Sequence, residues 1–256
     1  MAFPGADTVA LRIDYTGGFV PPAFNLTRLP AVSVYADGRV LTPGPQIMIY
    51  PPPALPNIQE QRISTGDVQK LVDLAVAAGV GKSGVDYGTP NVTDLPNTRF
   101  TVTTPDGVQH TEVYALTESM DNASGLTPAQ QDARKKLLDL VKAVTDLQGT
   151  LGASAVGTST QYVPKKVAGI ASAWTAPGDG TSAGPEVAWP GPALPGASLG
   201  EGLGLGCVVA EQEAGAVLTA AAKASAITPW TSGGKSWTVG IRPLLPDETG
   251  CESLGK

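Results

Sequence analysis

The stretch RFTVTTPDGVQHTEVYAL, residues 99–116, predicts a β-hairpin. Two runs rich in β-branched and aromatic residues flank Pro105-Asp106-Gly107, and Asp-Gly between such runs is typical of a tight turn between antiparallel strands. The pattern also occurs earlier, where Asp37-Gly38 separates residues 31–35 from 39–41, and residues 9–15 alternate as a further strand. The sequence therefore predicts antiparallel sheets built from hairpins.

Two helices are indicated by their capping signals. Ser64 or Thr65 precedes an apolar stripe that ends at Gly79, and glycine readily adopts the left-handed conformation that closes a helix. A second helix begins at Thr127-Pro128, has Gln130 in the position of a capping box, and is expected to run to about residue 147. Hairpins combined with such helices predict an α+β fold with the helices packed on one face of the sheets.

The composition changes along the chain and predicts two parts. The four Phe and five of the six Tyr precede residue 115, whereas the tryptophans all follow it: Trp174, Trp189, Trp230 and Trp237. Residues 148–161, QGTLGASAVGTSTQ, have the small-residue composition of a flexible linker. We therefore expect a strand-rich domain with two helices at 1–150 and a Trp-rich α+β domain at 161–256, closed by a disulfide.

The second part begins with a predicted strand at 166–174. A Gly-Pro loop of about thirty residues follows, and loops of that length are usually functional or mobile. A short strand at 207–210, an alanine-rich helix at 211–224 and a strand at 236–242 complete the predicted order. Ser232-Gly233-Gly234 is the turn before the last strand.

The side chains that most often carry enzyme chemistry are scarce. One histidine, His110, and two cysteines, Cys207 and Cys251, occur in 256 residues. Three such residues far apart in sequence do not suggest a zinc cluster, so we expect no metal, no cofactor and no catalytic centre. The isolated cysteine pair predicts a disulfide, and two free thiols in a cytosolic protein are the alternative.

Charge and composition favour an exported protein. A net charge of −6 disfavours a nucleic-acid partner, which needs a clustered cationic face. No apolar run approaches the roughly 20 residues of a membrane span, so no transmembrane segment is expected. The N-terminus lacks the pattern of a signal peptide. Met1 is either a native start or what remains after a leader was removed, and the composition favours removal. We expect an extracellular or cell-envelope location and leave open a lipid anchor outside this chain.

One catalytic motif is matched in its residues but not in the structural context that its chemistry requires. Residues 196–200 fit the G-x-S-x-G of α/β-hydrolases, whose serine needs a preceding strand, a following helix and a downstream histidine. Pro192 and Pro195 disfavour that strand, and His110 lies upstream. We therefore do not expect Ser198 to be a nucleophile.

The turn after the first strand is one candidate contact surface. Gly17 and Gly18 permit backbone angles closed to other residues, and Pro21-Pro22 stiffen the exit from the turn. We expect Phe19 to be exposed there and to contact a partner; the alternative is that Phe19 folds inward as a core residue.

Two other surfaces are candidates. Residues 47–56 pass from an apolar strand into a proline run that includes Tyr50 and Pro52, and prolines lose little entropy when a partner docks. The alternative there is a sheet edge closed by prolines. The loop that carries Trp189, together with Trp230, is the other candidate, with a compact tryptophan core as the alternative.

The N-terminal half resembles the small bacterial proteinase inhibitors of the emfourin type. The resemblance rests on LRIDYTGGF at 11–19, the turn at 36–39, the helix at 64–80, the strand that ends near Tyr114 and the closing helix. It implies a strand-turn-strand-helix protein that inhibits thermolysin-like metalloproteases. The whole chain also resembles uncharacterised secreted or lipid-anchored actinobacterial proteins, in PWTSGGKSW at 229–237, in RPLLPDETGC at 242–251 and in its Thr-Ala-Gly-Pro bias.

These observations predict an exported, non-catalytic binding or scaffold protein of the cell envelope or extracellular space. Its expected partner is a protein, either of the cell envelope or a protease. A protease inhibitor that acts through the Gly17-Gly18-Phe19 loop is the first alternative. A hydrolase of unrecognised type is the second.

Overall fold

The structure is a computed structural model that describes residues 3–118 and 125–255. Its strands are β1 (Val9–Gly17), β2 (Val32–Tyr35), β3 (Arg39–Pro43), β4 (Ile58–Arg62), β5 (Pro96–Thr104), β6 (Gly107–Tyr114), β7 (Thr160–Gln161), β8 (Val167–Ala173), β9 (Val187–Ala188), β10 (Ala197–Ser198), β11 (Gly206–Ala210), β12 (Trp230–Ser232) and β13 (Lys235–Pro243). Its helices are α1 (Pro22–Thr27), α2 (Thr65–Ala78), α3 (Pro128–Thr145), α4 (Leu147–Leu151) and α5 (Ala214–Ala221). Two short 3-10 helices lie at Ala153–Ala155 and Cys251–Ser253. The predicted α+β class is confirmed.

The chain divides into two compact units. Unit 1 comprises Met1–Val20, Leu29–Gly44 and Ile58–Tyr162, and unit 2 comprises Pro21–Arg28, Pro45–Asn57 and Val163–Lys256. This division differs from the expected parts at 1–150 and 161–256. The difference arises because two segments of the N-terminal half, α1 and the proline-rich segment 45–57, pack with unit 2.

Unit 1 is built on one antiparallel sheet with the strand order β6-β5-β1-β2-β3-β4-β7. The predicted hairpin joins β5 to β6, with Thr104 opposite Gly107. Leu11 and Ile13 of β1 are buried on the same face, because alternate residues of a strand point the same way. The helix α2 packs on β1 and β5, and α3 packs on α2. One apolar cluster therefore joins both helices to the sheet.

The capping predictions for the two long helices are confirmed. The Ser64 side chain accepts a hydrogen bond from the Asp67 backbone N–H at 3.1 Å, and Gly79 closes α2 with a φ of 101°. Thr127 and Gln130 form the predicted capping box of α3. No helix within residues 3–118 and 125–255 combines the length and the apolar character that crossing a membrane requires.

The expected linker at 148–161 is instead folded. The Asp146 carboxylate accepts from the Gly149 N–H at 2.9 Å and so caps α4. After a turn, the Gly157 N–H donates to the Arg62 carbonyl at 2.8 Å, and β7 then pairs with β4 at the edge of the sheet. A Cβ at Gly157 would lie 3.2 Å from that carbonyl oxygen. The small residues therefore permit a close approach to β4, and the boundary of unit 1 falls at Tyr162.

Unit 2 has a sheet with the strand order β10-β11-β8-β13-β12-β9, in which only β9 and β12 are parallel among the described strand pairs. Side chains of β8 point alternately to the two faces of this sheet, and each face carries its own apolar cluster. Val167 and Ala171 belong to the first cluster, and Ala168 and Ile170 belong to the second. The first cluster contains Val217 of α5. Both faces of this sheet are therefore covered.

The second face of the unit 2 sheet is covered in part by α1. Ala23 and Leu26 pack on its apolar cluster, which also includes the disulfide cysteines. Gly240 of β13 makes the approach of α1 feasible, because a Cβ there would lie 2.7 Å from the Thr27 methyl carbon. The sequence did not predict this six-residue helix, which is too short for a periodic apolar pattern.

The C-terminal tail is fixed to unit 2 by a covalent bond and a buried ion pair. Cys207 of β11 is bonded to Cys251, with 6.2 Å between their Cα atoms, so the predicted disulfide is confirmed. The Arg242 Nη2 lies 2.6 Å from the Glu248 Oε1, and both side chains are less than a tenth exposed. Glu248 Oε2 accepts from the Leu245 N–H at 2.7 Å. Glu248 therefore compensates the buried guanidinium and holds the turn that leads to Cys251.

Candidate binding surface

Four consecutive large apolar side chains of unit 2 are exposed. Ile47, Met48, Ile49 and Tyr50, which we call the apolar strip, are between 57% and 98% exposed. The expected strand at this position is not formed: the strip lies outside every sheet, and the Ile49 N–H donates to the Ile47 carbonyl in a tight turn. Prolines on both sides explain this, because they lack the N–H that a sheet ladder needs.

The strip is held at both of its ends. The Asn57 side-chain amide donates to the Pro45 carbonyl at 2.9 Å and closes the segment into a loop. Beyond the strip, the Pro52 carbonyl accepts from the Ala226 N–H at 2.8 Å, and Pro53 forms a β-bridge with Ser225. Pro52 is itself exposed. The strip is therefore presented on an ordered backbone, which lowers the entropy lost when a partner binds.

Tyr50 also lines a pocket of about 400 Å³ on unit 2. Trp174 and Pro177 provide the other large apolar surface, and Thr175 and Thr238 provide hydroxyls. The Trp174 indole N–H donates to the Ile227 carbonyl at 3.4 Å, which orients the ring. The pocket thus extends the apolar strip into a concave surface with aromatic residues in its wall.

Asp179 carries the charge of this pocket. The Thr181 backbone N–H donates to Asp179 Oδ1 at 2.9 Å, and the Tyr50 hydroxyl donates to Oδ2 at 3.3 Å. The hydrogen bond from the Thr181 backbone is the main reason that the pKa of Asp179 lies below its ordinary value. The carboxylate is therefore ionised at neutral pH.

The turn after β1 displays Phe19. Gly17 and Gly18 have φ angles of 65° and 86°, which residues with a Cβ rarely adopt. The Phe19 N–H donates to the Asp94 carbonyl at 3.1 Å, so the turn has a defined backbone. The Phe19 side chain is 87% exposed, which confirms the predicted exposure. That it contacts a partner stays a prediction.

Trp189 and Trp230 are core residues and do not form a contact surface. Their side chains are 8% and 1% exposed, and the rings meet edge to face with centroids 5.5 Å apart. The Trp189 indole N–H donates to the Pro192 carbonyl at 2.8 Å, which satisfies the polar atom inside the core. A Cβ at Gly169 would lie 3.1 Å from the Trp189 ring, so the tryptophan packs over a glycine of β8.

Trp174 and Asp179 are the site residues that the sequence reasoning missed. Both follow β8: Trp174 is the last residue of the predicted strand, and Asp179 lies in the long Gly-Pro loop, whose length alone indicated a functional segment. An aromatic residue at the end of a strand and an acidic residue at an Asp-Gly turn were the available signals. Neither signal shows that the two residues share a pocket with Tyr50, which lies more than a hundred residues earlier.

The G-x-S-x-G motif lacks the context of a nucleophile. Ser198 lies in β10, at the edge of the sheet, and the next element is the strand β11. Its hydroxyl donates to the Gly200 carbonyl at 3.3 Å, within its own turn. Over the two described ranges, no group of three or more His, Cys, Asp or Glu side chains is placed to hold a metal ion. Nothing in the described residues points to catalytic activity.

Comparison with known proteins adds no family to these observations. The chain matches no protein-family model, no curated protein and no solved structure. The emfourin-type and actinobacterial resemblances therefore stay predictions.

Proposed function

We propose that this chain is an exported, non-catalytic binding protein of the cell envelope or extracellular space, and that the apolar strip of unit 2 binds a protein partner. The observation that carries the proposal is the exposure of four consecutive apolar side chains, Ile47 to Tyr50. Single exposed apolar residues are ordinary on soluble proteins, whereas contiguous exposed ones mark interaction sites.

The chemistry of the strip favours a protein partner. Isoleucine, methionine and tyrosine offer apolar area with little hydrogen-bonding capacity, and methionine and tyrosine are enriched in protein interfaces. The hydrogen bonds from Asn57 to Pro45 and from Ala226 to Pro52 hold the strip in place before binding. The proposal for export is supported by the disulfide between Cys207 and Cys251, since such bonds persist in oxidising compartments.

Capture of the partner tests this proposal. The full chain and a variant with Ile47→Ser, Met48→Ser and Ile49→Ser are immobilised side by side and exposed to a cell-envelope extract from the source organism. We expect proteins captured by the wild type to be reduced about tenfold or more with the variant, because interface anchors dominate binding energy. Quantitative mass spectrometry measures the ratio for each captured protein.

Val163→Ser is the matched control. Val163 is 74% exposed in the same unit but lies outside the strip. Its replacement removes exposed apolar surface without touching the proposed interface, so capture should be unchanged. Equal capture by the wild type and the strip variant, or an equal loss with Val163→Ser, contradicts the proposal.

A second candidate function is favoured by the exposed Phe19. As the emfourin-type resemblance implies, the Gly17-Gly18-Phe19 loop would inhibit a thermolysin-like metalloprotease by presenting Phe19 on a fixed turn. On this hypothesis the full chain inhibits thermolysin, and Phe19→Ala raises the inhibition constant by about tenfold or more. Phe24→Ala, at a phenylalanine that is 49% exposed outside the loop, should leave inhibition unchanged. An uninhibited protease, or equal inhibition by wild type and Phe19→Ala, rejects this candidate.

A further inference from the structure

We infer that the pocket beside the apolar strip binds a lysine or arginine side chain of the protein partner. This inference rests on the proposed function, because it specifies the chemistry of the same partner at a site that shares Tyr50 with the strip. It is carried by the aromatic lining of the pocket and by its carboxylate, which no basic residue of the described lining neutralises.

The lining suits an organic cation. Trp174 and Tyr50 both contribute to the wall, and aromatic rings attract ammonium and guanidinium groups through their quadrupoles, tryptophan most strongly. Pro177 adds apolar surface for the methylene groups that carry such a cation. The volume of about 400 Å³ is ample for one long basic side chain.

The charge of the pocket is negative and is not neutralised by a neighbour. Among the described residues that line the pocket, Asp179 alone is charged. Its hydrogen bonds come from neutral donors, which include the backbone and side chain of Thr181 and the Tyr50 hydroxyl, so its negative charge is not balanced by a basic group. An incoming cation would therefore gain a charge-assisted hydrogen bond without displacing an existing ion pair.

A neutral sugar fits these groups less well than a cation does. Sugar hydroxyls need both donors and acceptors, and two donors of the pocket are already used: the Trp174 indole N–H by the Ile227 carbonyl and the Tyr50 hydroxyl by Asp179. Lysine and arginine side chains carry donors only. The Asp179 carboxylate and the aromatic residues of the lining therefore favour a basic side chain, although the Thr175 and Thr238 hydroxyls also line the pocket.

Titration with capped amino acids tests the inference. The probes are Nα-acetyl-lysine methylamide and Nα-acetyl-arginine methylamide, with the uncharged norleucine and citrulline derivatives and the disaccharide cellobiose for comparison. They are added to the ¹⁵N-labelled full chain, and the indole N–H resonance of Trp174, assigned with Trp174→Phe, is followed. We expect the cationic probes to shift this resonance with dissociation constants about tenfold or more below those of the uncharged probes.

Asp179→Asn should weaken binding of the cationic probes by about tenfold or more, because it removes the charge and keeps the shape. Asp106→Asn is the matched control, since Asp106 is an exposed acid in the β5–β6 turn of unit 1 and its loss changes the net charge equally. Equal affinity for cationic and uncharged probes, unchanged affinity in Asp179→Asn, or a Trp174 shift with cellobiose alone overturns the inference.

The same variants separate this inference from the proposed function. The strip variant retains Tyr50, Trp174 and Asp179, so it should bind the cationic probes like the wild type while it loses the partner. If the strip variant loses the partner but Asp179→Asn captures it fully, the pocket inference is overturned and the proposed function stands. If the strip variant captures the partner fully, the proposed function fails, and the assignment of the bound cation to that partner fails with it.

Discussion

Replacing Cys207 and Cys251 together by alanine is expected to lower the free energy of unfolding of unit 2 by about 4 kcal/mol. The two cysteines are separated by 44 residues, and closing a loop of that length removes about this much chain entropy from the unfolded state. Alanine is chosen because Cys207 is buried, and a serine hydroxyl there would add a desolvation cost unrelated to the bond. All four tryptophans lie in unit 2, so urea unfolding followed by tryptophan fluorescence measures this unit directly.

Reduction of the wild type is the control for this prediction. A thiol reductant should lower the unfolding midpoint of the wild type to that of the double variant and should leave the double variant unchanged. The unfolded, unreduced wild type should contain no reactive thiol. Two titratable thiols, or a midpoint that the reductant does not move, would contradict the disulfide and weaken the case for export.

Glu248→Gln is expected to lower the free energy of unfolding of unit 2 by about 3 kcal/mol. The Glu248 carboxylate compensates the Arg242 guanidinium, and both side chains are buried, at 7% and 3% exposed. Removal of one member of a buried ion pair leaves the other charge uncompensated, which is the costly step. Glutamine preserves the size of the side chain, so urea unfolding followed by tryptophan fluorescence reports mainly the loss of charge.

Glu252→Gln is the matched control for the ion-pair prediction. Glu252 lies on the same tail and is exposed, and glutamine keeps the side-chain oxygen that accepts from the Thr249 hydroxyl at 2.7 Å, so its substitution should change the free energy of unfolding by less than about 0.5 kcal/mol. Adding Arg242→Met to Glu248→Gln should recover part of the loss, because it removes the uncompensated charge. Equal and small effects of Glu248→Gln and Glu252→Gln would show that the pair does not stabilise the tail.

Turn and capping residues in the sequence were sufficient to predict one hairpin and two helices. The Asp106-Gly107 turn predicted the β5–β6 hairpin, and the caps at Ser64, Gly79 and Thr127 predicted α2 and α3. In each case the residues that fix the backbone lie within a few positions of one another. The disulfide was also predictable, since the chain offers only two cysteines.

Other elements depend on distant partners and could not be predicted in this way. The folding of residues 148–161 depends on pairing of β7 with β4, about a hundred residues earlier. The short helix α1 is stabilised by packing near Gly240, more than two hundred residues later. Because both contacts are non-local, neither the linker composition of 148–161 nor the brevity of α1 revealed them.

Only part of the candidate site could be predicted, because only part of it is defined by residues that are adjacent in sequence. Proline-flanked Tyr50 and Pro52 were singled out because their backbone is stiff, a property of adjacent residues. Trp189 and Trp230 were candidates for a surface, with a compact core as the alternative, because tryptophan between prolines and glycines is common on binding loops. The sequence does not show that Gly169 leaves space for the Trp189 ring in the core.

Photocrosslinking from position 48 shows whether a protein partner contacts the apolar strip. A photoreactive amino acid is placed at position 48 of the full chain, and at position 163 in a parallel protein, because both side chains are highly exposed in unit 2. Each protein is illuminated in a cell-envelope extract from the source organism. Binding through the apolar strip predicts one discrete crosslinked product from position 48 that is absent from position 163 and is competed by unlabelled wild type. Identical products from both positions, or none from position 48, would contradict it.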